Sequence, residues 1–281
     1  MLPPYRLRTS MLVAGMSAAG ALCHPDGGVA APAPSAAAGA ASLKDCSECP
    51  ELTEIGGSSK FGFRYATTYE VTWRDYLPAV REQGCRAPIT QPERSAPGSD
   101  GKLRASVDDP RFATRQALSG ISPSDARCYV SWLSKKTGQS YAIPTPRQWR
   151  WLAYGTATTI YPWGNDLPFN RALLAKNYDW TAFGKPAGVS ASVMPRVVGQ
   201  TPPDRNGLYD TIGNADELTS SCELWAPPRP VPKRADHPIW SCRMMGGSSL
   251  GRGSDDGPPE ASVLMSDPYP DAWVGLRLVR R

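Results

Sequence analysis

About one residue in five of this chain is a turn former. Gly (26) and Pro (29) stand among 281 residues, against roughly 12% in ordinary globular proteins. Both residues interrupt helices and strands, so a helical bundle or a long regular barrel is excluded. The composition still permits a core. Apolar residues make up 41%, and nine Trp with eleven Tyr supply large buried surfaces where aliphatic side chains are few. With the N-terminal tail set aside, the length suits one domain.

Charge and histidine content narrow the function. The formal net charge is +5, and the basic residues are scattered, with one cluster at Arg277, Arg280 and Arg281. A nucleic-acid binder carries a basic stripe or arm, so no nucleic-acid partner is expected. The two histidines are His24 and His237. One imidazole in a mature chain cannot build a three-His or two-His-one-carboxylate metal site. His237, between Asp236 and Pro238, reads as a surface-loop residue.

The N-terminus reads as an export signal. Arg6 and Arg8 precede a short apolar run, Met11 to Cys23, too brief to span a bilayer stably. Residues 29–42 are rich in Ala, Pro and Ser and cannot pack a core. Ala38-Gly39-Ala40 offers small residues for signal peptidase, giving a leader over 1–40 and a domain over 41–281. A lipoprotein anchor at Cys23 is the second choice, because Leu22 stands where a small residue is wanted. The expected location is periplasmic or secreted, with no stable membrane span.

Cleavage after Ala40 removes Cys23 and leaves Cys46, Cys49, Cys85, Cys128, Cys222 and Cys242. An even number suits an oxidising compartment. Six cysteines allow fifteen pairings. Proximity favours Cys46 with Cys49. Cys222 and Cys242 flank a Pro-rich stretch and closing it would restrain an insert; Cys85 with Cys128 then follows by elimination. The Cys46-Ser47-Glu48-Cys49 pair has no second CxxC and no nearby histidine for zinc. Its acidic neighbours Asp45, Glu48 and Glu51 oppose a reactive thiolate, so it reads as a structural clip.

Apolar spacing gives helical blocks over 71–83, where Pro78 is expected to kink or shorten the helix, and over 122–137. The second has Ser122 as N-cap, Pro123 at the first helical position and Gly138 at its end. A third begins at the Thr145-Pro146-Arg147-Gln148 capping box. Residues 206–214 read as consecutive tight turns. Extended pieces are expected near 243–245 and 274–279, and a long polar surface loop over 86–118.

Six motifs in this order carry a resemblance. They are Asp45-Cys46-Ser47-Glu48-Cys49-Pro50-Glu51; Glu70-Val71-Thr72; the Asp125-to-Gly138 helix; Tyr141-to-Ala153 followed by Tyr161-Pro162-Trp163-Gly164; Gly207-to-Leu218; and Met245-Gly246-Gly247-Ser248 with Gly275-to-Arg280. Over residues 45–281 the chain resembles the formylglycine-generating enzyme, or sulfatase-modifying factor, family. That resemblance implies an α+β fold, a loop-rich variant of the C-type lectin fold. It also implies two cysteine thiolates that bind Cu(I) and oxidise a substrate cysteine to formylglycine, three and eight residues after the motif serine. Here those places hold Gly251 and Asp256, and no cysteine lies between 251 and 265, so no copper is expected. The acidic start of the family's third helix is replaced by Arg147 and Arg150. A structural Ca²⁺ is implied at Asn214 and Glu217, with Asp216 as a further oxygen donor; a second family site would fall near Asn177 or Asp179.

Three functional readings follow. The first is an exported accessory or ligand-binding module for an unidentified ligand, protein or peptide, whose surface is formed by residues 223–240 and 251–272. The second is a maturation oxidoreductase with replaced chemistry, of the siderophore-chromophore type. There Asp256, Glu260 or Ser248 would be the candidate catalytic residues. The third is authentic formylglycine generation through Cys222 and Cys242.

Overall fold

Each of the three described α-helices starts where a hydroxyl is followed, three residues later, by a carboxylate or amide. In the computed structural model, described over residues 43–89, 104–166, 171–172, 195–224, 240–246, 263–267 and 270–281, the hydroxyls of Thr72, Ser122 and Thr145 each accept the N–H of the third helical residue. Asp75, Asp125 and Gln148 reach back to the cap N–H in return. Two backbone donors are thereby satisfied at each start. The helices are α1 (Trp73–Gln83), α2 (Pro123–Thr137) and α3 (Pro146–Tyr154). Gly84, Gly138 and Gly155 end them at positive φ, which costs glycine little.

Pro78 lies inside α1 without ending it. A proline there forfeits one backbone hydrogen bond. Burial of Trp73, Tyr76 and Ala79 on the inner face outweighs that loss. The described parts of the 86–118 stretch, 86–89 and 104–118, depart from a surface loop: Ile89, Phe112, Ala117 and Leu118 are buried, and Arg104 and Arg86 both donate to Asp125 at the start of α2; residues 90–103 lie outside the described residues.

The strands are β1 (Leu52–Glu54), β2 (Tyr65–Thr67), β3 (Tyr141–Ala142), β4 (Asp216–Leu224), β5 (Trp240–Met245), β6 (Val263–Asp267), β7 (Val274–Gly275) and β8 (Val279–Arg280). They form two separate sheets, ordered β1-β2-β8-β3 and β6-β5-β4-β7. All pairs are antiparallel except β4–β7. Segregated, mostly antiparallel sheets with helices beside them make an α+β fold. Leu276, Arg277 and Leu278 join β7 to β8, so this three-residue segment links the two sheets. The largest apolar cluster packs Trp73 and Tyr76 of α1 and Tyr129, Trp132 and Leu133 of α2 on Leu276 and Leu278. A second surrounds Trp149 and Tyr154 of α3 with Ile212 and Met245.

Three disulfides join Cys46 to Cys49, Cys85 to Cys128 and Cys222 to Cys242, the pairing that the sequence favoured through proximity, closure of the insert and elimination. Cys222 and Cys242 are direct register partners on β4 and β5. Three disulfides are compatible with an extracytoplasmic protein. Among the described residues, no helix is long and apolar enough to cross a membrane.

Candidate functional site

Three buried carboxylates, of Glu70, Asp210 and Glu217, and the half-buried Asp204 gather around one buried guanidinium. Arg277, on the link from β7 to β8, is fully buried. Its Nη1 donates to the carbonyls of Thr67 (3.0 Å) and Thr68 (3.1 Å), and its Nη2 to that of Tyr209 (2.6 Å). Its Nε and Nη2 both reach Oε1 of Glu217 on β4 at 2.8 Å. The other Glu217 oxygen accepts Trp149 Nε1 of α3 at 2.5 Å. One carboxylate thus ties a strand, a helix and the inter-sheet link.

Glu70, just before α1, lies alongside. It accepts Asn214 Nδ2 (2.7 Å) and the Ala215 N–H (3.0 Å). Asp210 accepts from the Gly199 N–H and from Thr201 Oγ1 (2.7 Å). Asp204 folds the next turn by accepting the N–H groups of Asn206 (2.8 Å) and Leu208 (3.1 Å). Asp210 and Asn214 have positive φ, 53° and 59°, a conformation that Asn and Asp tolerate better than most residues.

Burial raises the proton affinity of all four carboxyls, because the charged form loses its hydration. Glu70 is pushed well above the usual carboxylate range, with the charges of Asp210 and Glu217 adding to its burial. Glu217 and Asp210 are raised less, since Arg277 and their donors favour ionisation. Asp204 is pushed up to about 7, by burial.

The sign of the pH effect follows. The folded protein keeps the Asp204 proton to about pH 7, whereas its ordinary value is 3.8. Between those values the native state binds the extra proton, so stability falls as pH rises through that window and is level above it. Asp204→Asn retains the oxygen that accepts both N–H groups. Its melting temperature is expected to change less between pH 4.5 and 7.5 than that of the parent. Equal pH slopes in the two proteins would refute the assignment.

The cluster supports the start of the Gly-Gly-Ser motif. Gly246 ends β5, and its carbonyl accepts the Gly213 N–H at 3.1 Å. Its φ is 97°, and a Cβ there would stand 3.6 Å from the Trp149 ring and 3.5 Å from the Thr211 carbonyl. The chain therefore enters the motif tied to the Gly213 turn, close beside the indole that Glu217 holds. Ser248, Gly251, Asp256 and Glu260 lie outside the described residues, as do the Pro-rich insert around His237 and the Asn177–Asp179 stretch.

Asn214 and Glu217 come to one place, but their oxygens are already engaged. Asn214 Oδ1 accepts the Arg196 N–H at 2.7 Å, and both Glu217 oxygens accept N–H donors. Arg277 and Trp149 thus stand at the Glu217 oxygens where the resemblance implies a Ca²⁺, and a hard cation would need further oxygen ligands beside these two. Among the described residues no group of three or more His, Cys, Asp or Glu side chains is placed to hold a metal ion. Nor do the six described cysteines offer soft donors, since all are in disulfides.

A sequence model of the family described as "Sulfatase-modifying factor enzyme 1-like domain" matches residues 61–281. The chain belongs to this family. Among curated relatives, the "Inactive C-alpha-formylglycine-generating enzyme 2" of Bos taurus is 37% identical over 109 residues, 36% of this chain and 31% of that protein. The "Formylglycine-generating enzyme" of Mycobacterium tuberculosis is 29% identical over 97 residues, 34% of this chain and 30% of that protein. The matches thus span about a third of those relatives' length. Two solved structures share the fold. One is PvdO from Pseudomonas aeruginosa, with a TM-score of 0.58 at 20% identity, covering 86% of this chain and 98% of that one. The other is Treponema denticola variable protein 1, with a TM-score of 0.50 at 15% identity, covering 82% and 95%.

Sequence reasoning placed Glu70, Asp210, Glu217 and Arg277 in family motifs without assembling them. The signal was a lone charge embedded in apolar sequence, as in Leu276-Arg277-Leu278. A charge in such a setting is buried only when paired.

Proposed function

We propose that this chain is an exported, non-copper member of the sulfatase-modifying factor family that acts as an accessory or ligand-binding module. The observation that carries the reading is the state of its sulfur. Cu(I) oxidase chemistry needs two thiolates, and every described cysteine is in a disulfide. Gly251 and Asp256 stand where the family resemblance places the copper ligands. The Bos taurus relative is itself named as inactive. Export is supported by the basic and apolar N-terminus and by the even number of cysteines beyond it. The ligand surface is assigned to residues 223–240 and 251–272, which leave the rigid β4–β5 pair and the Gly246 anchor.

Thiol counting in denaturant, on protein purified from the periplasm or medium, is expected to find no reactive thiol. In competition with a Cu(I) chelator the protein is expected to take no copper. Two thiols and one tightly held Cu(I) would overturn the reading. Oxygen consumption with a cysteine peptide would favour formylglycine generation; consumption with a catechol substrate would favour replaced chemistry using Asp256 or Glu260.

A further inference from the structure

Helix α3 begins with a charge that works against it. Its first turn holds no acidic residue. Arg147 sits there, exposed, where the helix dipole disfavours a cation. Across from it, the 3-10 turn Ser58–Phe61 presents Lys60, also exposed. Among the described residues neither cation has a carboxylate partner. Both instead lie over aromatic rings: Lys60 Nζ is 4.0 Å from the Trp151 ring centre and 5.2 Å from that of Phe61, and the Arg147 guanidinium is 5.2 Å from Phe61.

The rings form a pair, with centroids 5.0 Å apart, and both are partly exposed. The pair is held from behind. Gln148 Nε2 donates to the Phe61 carbonyl at 2.8 Å and Trp151 Nε1 to that of Gly56 at 3.2 Å. Gly57 has φ 67°, and a Cβ there would stand 3.1 Å from the indole. The surface is therefore preorganised: two cations with no carboxylate partner among the described residues, on a fixed aromatic base. Arginine and aromatic side chains are enriched at protein interfaces, and Lys60 adds charge beside them.

We propose that the face formed by Lys60, Phe61, Arg147 and Trp151 docks an acidic segment of a partner polypeptide. Charge complementarity selects the occupant, as carboxylates pair with both cations while an apolar side chain of the segment covers the rings. Two cations are too few for nucleic acid, where affinity grows with the number of phosphates neutralised. They are also fewer than the basic clusters that hold a protein on anionic lipid. The inference is independent of the reading above, because it holds whether or not the chain turns over a substrate.

The test uses the full mature protein and a fluorescein-labelled oligoglutamate peptide with one central Phe, read by anisotropy. Binding is expected, weakening with salt, and Lys60→Glu with Arg147→Glu should weaken it about tenfold. Arg81→Glu with Lys135→Glu makes the same charge change on exposed positions of α1 and α2, and should weaken it less than about twofold. Arg147→Glu alone should raise the melting temperature, because an acid suits the first turn; lost binding in that variant then cannot be unfolding. Equal weakening in the two double variants would sink the proposal. So would absence of binding at low salt, or tighter binding to duplex DNA or phosphatidylglycerol vesicles than to the peptide.

Discussion

Arg277→Met is expected to destabilise the protein by about 3–5 kcal/mol, the cost of breaking a buried ion pair from one side. For a domain of this size that is a fall in melting temperature on the order of 10 °C. The substitution keeps most of the side-chain volume, so the loss reports hydrogen bonds and charge. Three carbonyls, of Thr67, Thr68 and Tyr209, lose their donors. Glu217 keeps only Trp149, and the neighbouring Glu70, Asp204 and Asp210 lose the cation that offsets them. Adding Glu217→Gln should recover part of the stability, since a neutral amide needs no counter-charge. The double variant is therefore expected to be more stable than the sum of the single losses. Additive losses in urea denaturation would show that the two side chains are uncoupled. Arg64→Ala is the comparison: its partner is Glu54 and both side chains are more than half exposed, so its melting temperature should stay close to the parent's.

The second large effect is expected at the Cys85–Cys128 disulfide. Its cysteines are 43 residues apart, and closing a loop of that length restrains the unfolded chain by about 4 kcal/mol in the chain-entropy account. The bond joins the residue just past α1 to α2, and Cys85 is buried, so no compensating rearrangement is at hand. The same account gives roughly 3 kcal/mol for Cys222–Cys242 and less than about 2 for Cys46–Cys49, whose separations are 20 and 3 residues. Paired Cys→Ala variants should therefore lose stability in that order. If the Cys46/Cys49 pair proves the costliest, loop closure is not what these bonds contribute.

Local features were readable because their partners are local. The Ser122 and Thr145 helix starts, their prolines and the glycine stops involve residues at most four apart, and each formed as expected. The turn block around 206–214 was likewise visible in its Gly, Asn and Asp content. Strands β1, β2, β3, β7 and β8 were less legible, since two or three residues are too few to show alternation. They exist because neighbours from distant parts of the chain pair with them, as Tyr65 and Tyr141 both do with Arg280. Pro78 did not shorten α1: the penalty of one lost hydrogen bond is local, whereas the burial that exceeds it comes from the packed core.

At the candidate site the division is sharper. The family resemblance singled out Asn214 and Glu217 as two oxygen donors on one turn, and they do meet Glu70 and Arg277 there. What they bind was decided by residues 60 to 144 positions away. Arg277 and Trp149 stand at the Glu217 oxygens where the resemblance implies a cation.

By itself the sequence determined the turn-rich character of the chain, its helix boundaries and the identity of the groups at positions 251 and 256, because these depend on residue type and short-range sterics. Only the tertiary structure decided which lone charges share one buried cluster, and that two cations face solvent on an aromatic base. Those outcomes depend on desolvation and Coulomb energy between side chains that the fold, not the chain order, brings within a few ångströms of each other.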